Sequence, residues 1–343
     1  MTHPVDQFTK ALELMREEKL DEALGEFLEL RDYESLAPFC FFNIAKISNM
    51  IGEPEEAYEL YYKALAAKPD IASQILNADH SSINYVFKGL KDEKENTKCP
   101  LCDKESVPEW CYPLFEANGY NDFFNPIRMW MYCEPCNHMF ARNFPERLFI
   151  YNTGQRKANP VFFPYYSKIL SSIRGNGYAT GMSLFEVGIG ACECLLAARE
   201  MGYETFGIDV IERHVDDAKK IHKLNAETAD FNEYKSDRLW DVIIMGDVLE
   251  HVSDPDQALA KAESMLSDDG ALWISTPSFE CAYTQVVGHN DVMRRQQFHL
   301  NYFSRESLYM LLERNHLIPV DYIISGHFNG SMEVTAIKEA RLR

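Results

Sequence analysis

Two cysteine pairs, Cys99 with Cys102 and Cys133 with Cys136, carry the Cys-x-x-Cys spacing. Each spacing puts two thiolates on one tight turn, and two such turns brought together set four sulfurs around a tetrahedral zinc ion. Four thiolates leave no open coordination position, so the expected zinc is structural. The intervening residues 103–132 make a longer gap than many zinc ribbons have, and Cys111 or His138 in place of one ligand is the alternative. A second group begins in LFEVGIGACECLLAARE, Leu184 to Glu200, where Gly188 and Gly190 stand between a buried apolar run and a helical one. The amides at the start of that helix point back at whatever lies over the turn. Further on, YETFGIDV ends in Asp209, and an acid at that place accepts both ribose hydroxyls of a nucleoside cofactor. A third group is GDVLEHV, in which Asp247, Glu250 and His251 stand at i, i+3 and i+4 and share a face if the turn is helical. His299, in QFHLNYFS, adds an imidazole from far along the chain.

The elements that must position these residues fall into three blocks. Residues 1–95 are helical in period and rich in Ala, Leu and Glu. Residues 96–150 hold the cysteine pairs with many aromatics and prolines, the aromatics serving either as core or as a wall of a substrate pocket. Residues 151–343 alternate short apolar strands with amphipathic helices, as a doubly wound parallel α/β sheet requires. In the first block Glu22 and Glu56, Ala23 and Ala57, and Phe27 and Tyr61 each lie 34 residues apart, with Ala64 and Pro69 following. That period resembles the tetratricopeptide repeat, a helix pair whose small alanine admits a close neighbour. Two repeats are too few for a free solenoid, so they are expected to dock on the rest of the chain or on a second copy of it. They are either structural or a groove for a protein partner.

Glu186-x-Gly188-x-Gly190, Asp209, DVLEHVSDP and LSDDGALWISTPS, in that order, resemble the class I S-adenosylmethionine-dependent methyltransferases. The resemblance covers residues 160–338 and is strongest to the branch of the ubiquinone-biosynthesis O-methyltransferases. It implies a Rossmann-like seven-stranded sheet with an antiparallel last pair. A dinucleotide dehydrogenase is the nearest rival, but Glu193 occupies the place of the last glycine in GxGxxG. Cys192 stands where many relatives have a third glycine, a departure that keeps the backbone farther from the cofactor. On individual residues, the resemblance implies Glu186 near the methionine amino group, Gly188 and Gly190 under the methionine portion, and Asp209 on the ribose. Asp230 and Phe231 fall at the adenine contact, and Asp247 faces the methionine amine or the acceptor. Similar acid-x-x-Glu-His sequences with a distant His form a divalent-metal site in some relatives, which would make Asp247, Glu250, His251 and His299 ligands. Two carboxylates and two imidazoles suit magnesium, manganese or iron. In the other reading the histidines hydrogen-bond to hold a loop.

Methyl transfer from an activated sulfonium asks a protein to align the acceptor, exclude water and take a proton from a hydroxyl. His299, His251, Asp247 and Tyr302 are the candidate catalytic residues. The segment from Phe279 to Tyr302 is expected to cover the acceptor site. Within it, Arg294 and Arg295 either pair with an anion on the acceptor or lie at the surface. VFFPYYSKILSSIRG reads as a helix closing over the cofactor, with Tyr165 or Tyr166 at the pocket.

A net charge of −19 and no dense Lys/Arg cluster argue against nucleic acid. No membrane span or signal peptide is legible, so the expected location is the cytoplasm, and a homodimer is admitted. The expected acceptor is a sugar, glycan or other small biosynthetic intermediate, methylated on oxygen. The alternatives are a protein methyltransferase docking a polypeptide on the repeats, and a non-catalytic cofactor-binding scaffold.

Overall fold

The computed structural model of the chain describes residues 3–145, 157–174, 181–326 and 329–342. Helices α1 (Pro4–Arg16), α2 (Leu20–Leu30), α3 (Ala37–Met50) and α4 (Pro54–Ala67) pack in sequence order, followed by the single turn α5 (Ala72–Ile75). The repeated alanines Ala23, Ala57 and Ala64 are fully buried, and Phe27 and Tyr61 fill the space between helices. A methyl group at these places lets helix axes approach, and the aromatic ring then closes the gap.

Next come β1 (Lys94–Glu95), β2 (Val107–Pro113), β3 (Ile127–Cys133), β4 (His138–Ala141) and β5 (Asn143–Phe144). Strands β2, β3 and β4 form an antiparallel meander, with β1 and β5 pairing separately. Helix α4 packs across β2 and β3, so the helical block docks on this sheet. Asn49 fastens the junction. Its Nδ2 donates to the Cys111 carbonyl at 2.9 Å, and its Oδ1 accepts from the Cys111 amide at 3.1 Å.

The remainder runs α6 (Phe163–Arg174), β6 (Ser183–Val187), α7 (Glu193–Glu200), β7 (Glu204–Asp209), α8 (Glu212–Lys220), β8 (Ala226–Thr228) and β9 (Trp240–Gly246). It continues through α9 (Pro255–Met265), β10 (Leu266–Pro277), α10 (Ala282–Val287), β11 (Asn301–Phe303), α11 (Arg305–Arg314), β12 (Leu317–Ile324) and β13 (Ser331–Lys338). Seven strands form one sheet in the order β12-β13-β10-β9-β6-β7-β8. Its first five strands in the chain, β6 to β10, pair in parallel, and β13 joins β10 and β12 antiparallel. This is the expected doubly wound sheet. Every residue of β6 is buried, as a central strand covered on both faces must be. Helix starts are set locally. Asp254 caps α9 by accepting from Gln257 N ahead of Pro255, and Ser304 and Ser307 form a reciprocal cap on α11.

Strand β11 belongs to neither half as the sequence divides them. It pairs antiparallel with β4, so the cysteine-bearing sheet has four strands in the order β11-β4-β3-β2, one of them contributed from beyond residue 300. The sheet of residues 96–150 is thereby completed by a strand of the third block, and the 150/151 boundary itself lies outside the described residues. The cause is edge satisfaction, since β4 would otherwise expose an unpaired edge.

Asn49→Leu removes both bonds to Cys111 and orphans a buried amide and carbonyl, which costs about 2–4 kcal/mol. The urea midpoint should fall accordingly with the slope unchanged; an unmoved midpoint would show that the junction does not depend on Asn49.

Candidate functional site

Strand β6 leads to β7 on one side and, through the crossover, β9 lies on its other side, so the strand order reverses at the β6/β9 boundary. Ligands of open α/β sheets bind at the carboxyl ends of the strands beside such a reversal. Gly188 and Gly190 lie at that end with φ +76° and +49°, a left-handed backbone that glycine adopts without strain. A Cβ on Gly188 would stand 3.3 Å from Val248 Cγ2, just past β9, so the two turns close tightly on the crevice. Cys192 also has a positive φ, +70°, and caps α7, so the place of the third glycine keeps a glycine's conformation while carrying a side chain.

Glu186 is buried beneath this turn, and its Oε2 has no hydrogen-bond partner. Burial, then the charges of Glu193 and Asp209, push its pKa well above the usual carboxylate value. Asp209, also buried, accepts from the Gly190 amide at 3.0 Å, from the Ile211 amide at 2.8 Å, and faces His214 Nδ1 at 3.1 Å. The β6 turn and the start of α8 are thereby fixed to one carboxylate. Gly207, unnoticed in the sequence, is what brings β7 this close. A Cβ there would fall 2.3 Å from Ile189 Cγ2 and 2.9 Å from Leu195 Cδ1. The expected adenine contacts divide: Asp230 is exposed, its Oδ1 accepting from the Asn232 amide, whereas Phe231 is packed into the core against Phe185.

At the end of β9, Asp247 has φ +52°, and the short 3-10 turn Leu249–His251 follows. The expected shared helical face is therefore not formed. Asp247 turns to Ser275, whose Oγ donates to its Oδ1 at 2.8 Å, while Glu250, His251 and His299 converge with ligand atoms within 4.8 Å of one another. The four-residue metal set is corrected to three. His251 Nδ1 lies 3.0 Å from the Phe298 carbonyl and His299 Nδ1 3.0 Å from that of Met293. Each imidazole thus donates its Nδ1 proton to a carbonyl, the tautomer in which metal-binding histidines use Nε2. Glu250 Oε2 accepts from Thr276 Oγ1 at 3.0 Å. Burial, then Asp247, raises the Glu250 pKa well above its usual value, and burial followed by His251 takes His299 well below.

Tyr302 is buried, and its hydroxyl donates to the Asp291 carboxylate. Burial, with Asp291, carries its pKa far up, so its assignment as a proton acceptor is corrected to a core position. Arg294 is buried as well and pairs with Glu109 at 3.2 Å, and Arg295 stacks over Tyr112. The segment from Phe279 to Tyr302 packs on the cysteine sheet. Trp130 Nε1 donates to the Arg294 carbonyl, and buried Arg128 donates to the carbonyls of His299 at 2.6 Å and Gln297 at 2.8 Å. The interleaved aromatics Tyr112, Trp130 and Tyr302 are core.

The four cysteines stand together, every Sγ within 4.8 Å of the others and Cys102 to Cys133 at 3.6 Å. A zinc ion with Zn–S of about 2.3 Å requires sulfurs about 3.8 Å apart, so the set has the dimensions of a zinc site. Cys111 instead lies against Asn49, and His138 Nε2 against Asn301 Oδ1.

Residues 163–318 match the family described as Methyltransferase domain. This stretch, a little under half of the chain, is similar to that family. A ubiquinone biosynthesis O-methyltransferase of Rickettsia akari (strain Hartford) is 23% identical over 125 residues, covering 35% of this chain and 49% of the relative. The chain thus spans about half the length of that curated relative. Among solved structures, N-methyltransferase NodS from Bradyrhizobium japonicum WM9 is similar at 16% identity over 52% of this chain and 88% of its own, with a TM-score of 0.42. Magnesium protoporphyrin IX methyltransferase from Synechocystis PCC 6803 is similar at 15% identity over 54% and 90%, with a TM-score of 0.44. Among the described residues, no helix is long and apolar enough to cross a membrane.

The unpartnered Glu186 oxygen fits an ammonium, as on the methionine portion of S-adenosylmethionine. Its folded pKa is raised above the usual 4.5, so its contribution to the stability of the ligand-free protein is complete below that value and lost as pH rises through the raised one. An ammonium favours the ionised form and pulls the pKa down. Binding of S-adenosylhomocysteine at pH 7 should therefore release protons, read as a buffer-dependent calorimetric enthalpy. Glu186→Gln should abolish that release and weaken binding by about 1.5–3 kcal/mol, the scale of a hydrogen bond to a charged group; equal release by the variant would remove Glu186 from the role.

Proposed function

We propose that the chain is an S-adenosylmethionine-dependent methyltransferase that methylates a hydroxyl of a sugar, glycan or other small biosynthetic intermediate. The observation that carries the reading is the buried, unpartnered carboxylate oxygen of Glu186 beneath two left-handed glycines at the strand-order reversal. Glu186 would hold the cofactor's ammonium, Gly188 and Gly190 would admit its methionine portion, and Asp209 would take the ribose in exchange for one of its present partners. Bound there, the cofactor supplies an electrophilic methyl group.

The chain's own residues align the acceptor and handle its proton. His251 and His299 each commit Nδ1 to a carbonyl, so a proton leaving an acceptor hydroxyl would be taken at Nε2 of one of them. The same two nitrogens and the Glu250 carboxylate would hold a divalent cation. Two imidazoles with one carboxylate favour manganese or iron over magnesium, and such an ion would lower the pKa of the acceptor hydroxyl.

The cysteine cluster is a structural zinc site in this reading. Elemental analysis should find about one zinc per chain, and Cys99→Ser should lose it along with thermal stability; metal-free protein of full stability would sink the assignment.

Incubating the protein with methyl-labelled S-adenosylmethionine and an extract of its source, then separating label by size, tests the activity. Label is expected in the small-molecule or glycan fraction. Label on protein would replace that acceptor with a polypeptide, and cofactor binding without label in either fraction, with manganese or iron supplied, would favour a scaffold.

A further inference from the structure

Beyond the cofactor crevice, β13 brings a second buried carboxylate to the same end of the sheet. Glu333 pairs in register with Ser275, the residue whose Oγ bonds Asp247. It is only 4% exposed, yet it lies on a strand at the heart of the sheet, where an acid is costly unless compensated. The Tyr165 hydroxyl donates to its Oε1 at 2.7 Å. Among the described residues no lysine, arginine or histidine forms an ion pair with it. An ionised carboxylate offers about four acceptor positions, so a single phenol leaves most of that capacity unmet.

Ser331 supplies the independent observation. It is 2% exposed, and its Oγ has no hydrogen-bond partner. Two residues before Glu333 on one strand, it projects from the same face. Tyr165, on α6, reaches this face through its bond to Glu333, and Asp247 lies across the sheet end on Ser275, the register partner of Glu333. The face therefore gathers an under-used carboxylate, an unpartnered hydroxyl and a tyrosine next to the end of β9, where Asp247 marks the edge of the reacting region.

We propose that Glu333 and Ser331 form an acceptor subsite that takes a hydrogen-bond-donating group of the acceptor, a protonated amine or a hydroxyl. The inference rests on the methyltransferase reading for the word acceptor, while the subsite itself is made by β10, β13 and α6. A carboxylate accepts and cannot donate, which selects a donor. A serine hydroxyl beside it both accepts and donates, so it serves either arm.

The test is saturation-transfer NMR on the full chain with glucosamine and with glucose, two polyols that differ in the one group, run with and without S-adenosylhomocysteine. Glucosamine should receive saturation, reduced at least threefold by Glu333→Gln and also by Ser331→Ala, which selects the amine arm. Equal signals from both sugars, kept by Glu333→Gln and lost in Glu333→Leu, select the hydroxyl arm and support the subsite. No saturation of either sugar, or a signal that Glu333→Leu leaves unchanged, overturns it. Affinity for S-adenosylhomocysteine, measured by calorimetry on the same samples, judges the cofactor reading separately and should change less than twofold in Glu333→Gln, which also reports that the variant is folded.

Discussion

The antiparallel pairing of Asn301–Phe303 with His138–Ala141 is the constraint on which the site depends. Through it a strand of the third block completes the cysteine sheet, and residues of that sheet become supports of the crevice. Asn301 shows how. Its Nδ2 donates to the carbonyls of Leu249 and Val252, which flank the turn carrying Glu250 and His251, while its Oδ1 faces His138 from β4. Leu300 N donates to the Glu250 carbonyl from the adjoining residue. Glu250 and His251 are thus held beside the distant His299 by the Asn301 amide and the Leu300 backbone, to which their own side chains add bonds to Thr276, Phe298 and Met293.

That arrangement places a cation where an apolar residue would cost less. Arg128 is buried on β3, burial lowers its pKa to about 10, and it donates to two carbonyls rather than to an acid. A guanidinium in such a place is expensive to desolvate, but its planar fork binds two carbonyls at fixed separation. The turn at 297–299 is specified by that fork. Positioning of His299 therefore begins in the cysteine module, and a tetrahedral ion at the ends of β3 and the loop before β2 would stiffen the sheet from which Arg128 reaches.

Much of this was legible in the sequence because it follows from local pattern. The strand, glycine turn and helix at Leu184 to Glu200 are read from a buried apolar run, residues that tolerate a positive φ and a helical period. The cysteine pairs are legible because metal geometry is written in spacing. What escaped is of another kind. Asp247 kept its place at the strand end but not its helical phase, since one left-handed residue rotates everything that follows. Phe231 and Tyr302 looked chemical by type and proved to be core, because a side chain's burial is decided by elements it does not adjoin. Gly207, Arg128 and Glu333 carry no signal in their neighbours at all; each matters through a contact with a residue distant in the chain.

The electrostatics of the crevice follow from the same long-range assembly. Glu186, Glu250 and Glu333 come from three different strands or turns, and each is buried against the carboxyl ends of the sheet. A protein that gathered them only for stability would lose by it, since burial raises the free energy of the ionised form and like charges add to the penalty. Glu186 and Glu250 respond by holding protons more tightly, while Asp209 is satisfied by two amides and a histidine. The uncompensated part of that cost lies at Glu186 Oε2 and Ser331 Oγ, atoms on opposite sides of the β9 and β10 ends. Polar atoms buried without partners are costly, and these two flank the crevice, so the proposed cofactor and acceptor would each relieve one of them.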